Sequence, residues 1–198
     1  LGQASFRELT KKTLFLVALA TAKRLGELHK LHRWVGFRGP DAILGYLQEF
    51  LPKTATESRP LPRDFTLKGL SEFVGPGDEE RLLCPVRALK FYLAATKGIH
   101  PRPRGLFVSV RDHSRTLSKN ALAFFIRETI QQAIDQPGQP PHPGVRVHSI
   151  RGLGTALNFW RNRSLESVLD AATWKANTVF IAHYLKDVQR TYEQCHSL

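Results

Sequence analysis

The 198-residue sequence has no methionine, only two cysteines and few acidic side chains, with 17 Asp and Glu against 29 Lys and Arg. Each shortage excludes something. Cys84 and Cys195 stand far apart with no metal-type spacing, so neither a disulfide framework nor a cysteine-based metal centre is encoded, and a reducing compartment is expected. The longest apolar run, Leu14 to Ala22, is interrupted by Thr21 and falls short of the ~20 residues that a membrane-crossing helix needs. No secretory-signal pattern occurs, and no membrane partner is expected. A chain that starts at Leu1 and lacks methionine is expected to be a piece of a longer one.

What is present is ordinary for a globular domain in every respect but one. The apolar fraction of 42% and the charged fraction of 23% can build and solvate a single core, but the net charge is +12. A surplus of that size favours a polyanion, most simply nucleic acid.

The C-terminal fifth gathers the chemistry. His148 and Arg151, three residues apart, share one face of a helix and aim at one small volume. Arginine fixes a phosphate through a two-pronged charged hydrogen bond, and a histidine beside it can donate or move a proton. A tyrosine from a later helix, Tyr184, could then supply an attacking oxygen.

The rest of the chain frames this site. Ser5-Phe6-Arg7-Glu8 reads as a capping box opening a buried helix over Phe6 to Ala20, with Leu9, Thr13, Leu16, Val17 and Ala20 on one side. Arg24 follows at the seam between two helical stretches, either aimed into a cleft or paired at the surface with Glu27. Ala42 to Phe50 reads as a strand between Pro40 and Pro52, and Leu61 to Leu67 as an edge strand. Gly75 to Asp78 is a turn, and Pro85 starts a helix running to about Lys97. Leu106 to Val110 is a short extended segment. Ser118 caps a helix over Lys119 to Ile134, with Leu122, Phe125, Ile126, Thr129 and Ile130 inward and Arg111, Arg115, Lys119 and Arg127 around it, available to DNA phosphates or to water. A Pro- and Gly-rich loop over Gln136 to Gly144 precedes a helix from His148 to about Arg161, on which Leu153, Leu157 and Trp160 have helical spacing and Gly152 and Gly154 permit close packing. Ser164 caps a further short helix, and Thr178 to Gln194 is the last.

Arg24-Leu25-Gly26-Glu27-Leu28, an Arg-x-x-Glu-Leu after an apolar helix, resembles the first arginine motif of the tyrosine recombinases, the phage-integrase superfamily. His148-x-x-Arg151 resembles that family's second box. The finer wording is similar to the recombinases of DIRS-type retrotransposons: Ala-Thr-Ala-Lys-Arg-x-x-Glu-Leu-His at 20–29, Leu-Cys-Pro-Val-Arg-Ala-Leu at 83–89 and Phe-x-x-His-Tyr-Leu at 180–185. The motifs span nearly the whole chain, and their number and order carry the signal.

The resemblance implies a mainly α fold with a small antiparallel sheet (α+β), the family's catalytic domain over 1–198, without the N-terminal core-binding domain that closes a clamp on DNA. It implies that Tyr184 attacks a scissile phosphate to give a 3′-phosphotyrosine, with no metal, cofactor or ATP. Arg24 and Arg151 would stabilise the charge on the phosphate, His148 assist the tyrosine's proton, and Trp174 donate a hydrogen bond. A lysine between the second and third strands would protonate the leaving oxygen; Lys53 is the choice and Lys68 the rival. Tyr184 stands one residue further from Trp174 than in many relatives, where the count lands on His183; the Phe-x-x-His-Tyr pattern favours Tyr184, with Tyr192 as the alternative. The implied partners are double-stranded DNA and further copies of the protein, a tetramer on two sites, in the nucleus if the source is a eukaryotic mobile element. A type IB topoisomerase, or a domesticated DNA-binding module without transfer activity, are the competing readings.

Overall fold

The computed structural model describes residues 5–50, 64–135, 146 and 150–155. The first helix, α1 (Phe6–Thr21), starts where the hydroxyl of Ser5 accepts the backbone N–H of Glu8 at 3.2 Å. It is buried along most of its length, as the density of apolar residues predicts, although Ala20, expected inward, is exposed. Its buried threonines cost little because their hydroxyls find acceptors, Thr10 the carbonyl of Phe6 and Thr21 that of Val17, each at 2.7 Å, and Thr13 that of Ala88 at 3.4 Å. The helix stops at Ala22, whose φ of 50° and ψ of 23° are left-handed. An L-residue with a buried methyl rarely adopts that conformation, and it turns the chain into α2 (Leu25–His29).

A three-stranded antiparallel sheet follows, with β1 (Leu31–Arg38), β2 (Asp41–Tyr46) and β3 (Asp64–Leu67) in that order. β1 and β2 are joined by Gly39 and Pro40, with Gly39 at a φ of 58° that favours glycine. β1 is irregular between Leu31 and Val35, where its other edge also bonds: Leu31, opposite Tyr46 of β2, accepts the N–H of Leu106 at 2.8 Å, and Arg33 donates its own to Arg104 at 2.9 Å. β2 ends sooner than the apolar pattern through Phe50 suggests, and β1 was not read from the sequence at all. β3 forms the expected edge, paired with β2 and, among the described residues, with no other strand.

Two short helices, α3 (Ser71–Val74) and α4 (Asp78–Leu83), flank the turn at Gly75 and lead to α5 (Pro85–Ala95), with Pro85 in its first turn. The extended stretch after it makes single bridges, His32 to Gly105 and Val108 to Thr116, rather than a continuous strand. α6 (Lys119–Ile134) is capped by Ser118, with Leu122, Phe125 and Ile126 buried as its spacing predicts. α1 packs between α5 and α6, and the core of Leu14, Val17, Leu31, Leu44, Leu89, Tyr92, Phe107, Leu122 and Ile126 ties helices to sheet.

Residues 150–155 are helical and lie against the end of α1. A Cβ on Gly154 would run into the carbonyl oxygen of Leu19, so glycine sets how closely the two segments approach. Leu153, expected on an apolar face, is exposed. Among the described residues no helix is long and apolar enough to cross a membrane.

Candidate functional site

The site is built where α1 ends. The left-handed Ala22 and the extended backbone of Arg24, at φ −67° and ψ 150°, set Lys23 and Arg24 at the mouth of a cleft. Its other walls are Leu25 and Leu28 of α2, Ile126 of α6, and Ile150 and Arg151. Two arginines from opposite ends of the sequence therefore open on one hollow.

Glu27 organises that hollow. Its carboxylate accepts the backbone N–H of Arg24 at 2.7 Å, which closes the start of α2. The same oxygen, Oε2, lies 3.9 Å from Nη1 of Arg151, with the two side chains only 3% and 4% exposed. The short Arg24–Glu27 spacing thus serves to fix the backbone of Arg24. The Glu27 carboxylate also faces the second arginine, a role that only the fold brings into view. Arg24 itself is half-buried.

Lys23 was not among the residues singled out from the sequence, yet it lines the cleft and is 7% exposed. Its ammonium sits 4.8 Å from the centre of the Phe65 ring on β3. Burial pulls it below the usual lysine range; Glu27 opposes this, while Arg151 and Arg24 add to it. The available signal was the wording Ala-Thr-Ala-Lys-Arg, in which Lys23 immediately precedes the arginine.

Tyr46, at the end of β2, buries a hydroxyl that has no hydrogen-bond partner among the described residues. Burial first, then Glu27, pushes it far above the usual phenol range, which keeps it neutral. Tyr92 is a core residue whose hydroxyl accepts the N–H of Val108 at 2.7 Å, and burial pushes it up to about 12. Neither phenol is placed to ionise readily as a nucleophile.

The two lysines weighed for proton delivery differ in position. Lys68 lies beyond the end of β3, where its ammonium donates to the Asp41 carboxylate at 2.7 Å. Lys53 lies in the connection between β2 and β3, outside the described residues, as do His148, Trp174, Tyr184 and Tyr192. Of the basic residues around α6, Arg111, Lys119 and Arg127 are exposed, and Arg115 is exposed but pairs with Asp112 at 3.1 Å. Among the described residues no cluster of His, Cys, Asp and Glu could hold a metal ion.

The backbone resembles several solved recombinases. XerA recombinase superposes with a TM-score of 0.60 at 18% identity, covering 98% of this chain and 60% of that one. XerH site-specific recombinase, bound to palindromic difH substrate in a post-cleavage complex, superposes with a TM-score of 0.64 at 15% identity, covering 99% of this chain and 47% of that one. A lambda integrase dimer bound to a COC′ core site gives 0.50 at 13% identity, covering 90% and 41%. The chain thus spans between two-fifths and three-fifths of these recombinases. No protein-family model and no curated protein matches the sequence. At such identities the likeness establishes the fold: mixed helix and small antiparallel sheet, as in the catalytic domains of tyrosine recombinases.

Proposed function

We propose that this chain is the catalytic domain of a site-specific DNA recombinase that cuts and rejoins strands through a 3′-phosphotyrosine. The observation that carries the proposal is the cleft shared by Arg24 and Arg151, with buried Glu27 between them, in a fold that tyrosine recombinases share. Two arginines lining one hollow suit a phosphodiester whose non-bridging oxygens gain charge as it is attacked.

In the proposed reaction the Tyr184 oxygen attacks the scissile phosphorus and its proton passes toward His148. The bond from phosphorus to the 5′-oxygen breaks, and that oxygen takes a proton from Lys53. Trp174 donates its ring N–H to the phosphate. The diester becomes a phosphotyrosyl diester, so the bond energy is kept and no nucleotide is consumed. A 5′-hydroxyl of a second strand then reverses the step. The position of Lys53 between β2 and β3 favours it over Lys68, which follows β3 and is held by Asp41. Double-stranded DNA is the substrate. Further copies of the chain complete the exchange, and the DIRS-type wording suggests a retrotransposon source and a nuclear setting.

The test is incubation with a pool of nicked, sequence-randomised duplexes in the presence of a chelator, followed by denaturing electrophoresis. A covalent protein–DNA band is expected from the unmodified chain, and none from Tyr184→Phe, which should still bind DNA. A band that persists in Tyr184→Phe would move the nucleophile to Tyr192. Binding without any band would favour a DNA-binding module, and supercoil relaxation without exchange a topoisomerase.

A further inference from the structure

We propose that Lys23 is a third cationic ligand of the phosphate received by the Arg24–Arg151 cleft, clamping its charge rather than supplying a proton. The phosphate's identity as a scissile diester rests on the function proposed above; the cationic site itself does not.

The placement is the first argument. Lys23 and Arg24 are consecutive, both line the cleft, and Arg151 lies in the same wall. The second is burial. Lysine is rarely found this deep without a partner, and Lys23 is 7% exposed. Among the described residues its ammonium makes no hydrogen bond or ion pair; it lies over the face of Phe65 at 4.8 Å, with Glu27 acting on it only through space. A ring face attracts a cation but brings no counter-charge.

The third argument is the charge around it. Three described cations, Lys23, Arg24 and Arg151, share the cleft with one described carboxylate, Glu27. That carboxylate accepts the backbone N–H of Arg24 and faces the guanidinium of Arg151, so it is shared among the three. Positive charge held in excess at a shielded place costs free energy until an anion arrives, and the gain on arrival grows with the anion's charge. A phosphorus centre under attack carries more negative charge than the resting diester, so the arrangement favours the transition state over the ground state.

The fourth argument separates clamp from acid. A proton donor must follow a departing oxygen. Lys23 is instead pinned, by the left-handed Ala22 before it, the extended Arg24 after it, and Phe65 beneath its ammonium. A pinned cation stabilises charge at one fixed point.

The test compares the unmodified chain with Lys23→Met and Lys23→Arg in two assays. In the first, covalent adduct formation is timed on nicked duplexes recovered from the wild-type adduct, carrying either the ordinary linkage or sulfur at the 5′-bridging position. With sulfur, the P–S bond breaks and a thiolate departs with the electron pair, needing no proton because a thiol has a pKa of about 8.5. Lys23→Met is expected to slow both substrates about 100-fold, the range seen on losing one oxyanion ligand, and Lys23→Arg to stay within about 10-fold of wild type. Recovery of Lys23→Met on the sulfur substrate, or an equal loss in both variants, would make Lys23 a proton donor and overturn the clamp. A wild-type rate in Lys23→Met would overturn any part in the reaction.

In the second assay, inorganic phosphate at fixed ionic strength should raise the melting temperature of wild type and Lys23→Arg more than that of Lys23→Met. If wild type forms no adduct yet shows this Lys23-dependent shift, the recombinase reading fails and the anion site stands. An equal shift in all three proteins removes the anion site. Lys23→Met is expected to fold, since methionine in place of a buried lysine over a ring removes a desolvated charge and keeps the packing.

Discussion

At the scale of single residues, the chain uses carboxylates sparingly, and Glu27, Glu128 and Asp41 each serve more than one partner. Glu27 serves the backbone of Arg24 and faces Arg151. Glu128 on α6 accepts two hydrogen bonds from Arg7, at 2.8 and 2.7 Å, and lies 3.4 Å from Lys11, a buried lysine of α1. Asp41 accepts from Lys68 and from the N–H of Gly69 at 2.7 and 3.0 Å. The hydrogen bond from Arg7 holds the Glu128 carboxyl below its ordinary range, and that from Lys68 does the same for Asp41. A carboxyl depressed in the folded state stabilises the fold above its unfolded pKa, near 4, and that stability is lost as pH falls through the lower folded value. Urea midpoints should therefore decline from about pH 5 downward. The double variant Glu128→Gln, Asp41→Asn should start lower at pH 7 and show a shallower decline, converging on wild type near pH 2.

At the scale of elements, the decisive contact is between α1 and the segment 150–155. Gly154 lies against the backbone of Leu19, and the Cβ of Ala22 is 3.4 Å from where a Gly154 Cβ would stand. Arg151 is three residues before Gly154, hence on nearly the same helical face. Gly154→Ala must push the segment off α1, because the obstacle is a carbonyl and not a side chain that can rotate. Overpacking of this kind costs about 1–3 kcal/mol, which a urea titration would register. The same shift moves Arg151 relative to Arg24, so adduct formation should fall by more than the loss of folded protein explains. A Gly154→Ala chain with unchanged stability and rate would show that the close approach has no functional part.

At the scale of the whole molecule, the net charge of +12 dominates. Binding to duplex DNA should be strongly salt-dependent, because each phosphate contact releases condensed counterions. With 6–10 contacts the affinity should drop by about three to five decades between 50 and 200 mM salt. Fluorescence anisotropy at several salt concentrations measures the slope. Replacing exposed Arg111 or Arg127 with alanine should make the slope shallower by about one unit if that side chain meets a phosphate. Arg115, already paired with Asp112, should change it less. A slope near zero for the full chain would sever the link between its charge and DNA.

Sequence by itself determined much of this protein. The cap at Ser5, the apolar density of α1, the start of α5 at Pro85 and the extent of α6 follow from local chemistry: a hydroxyl for an orphan N–H, a fixed φ, a helical period. The pairing of Arg24 with Glu27 was legible as a spacing, but the atom involved was not, since backbone and guanidinium compete for the same carboxylate. Only tertiary structure decided the rest. β1 has no clean alternation, and its register with β2 shifts where its other edge bridges to Gly105. Lys23 reads as a surface lysine until the fold covers it, and nothing local in the sequence reveals that Phe65 will lie beneath its ammonium. Arg151 comes to face Glu27 because a glycine lets one backbone approach another, a long-range contact on which local propensity is silent.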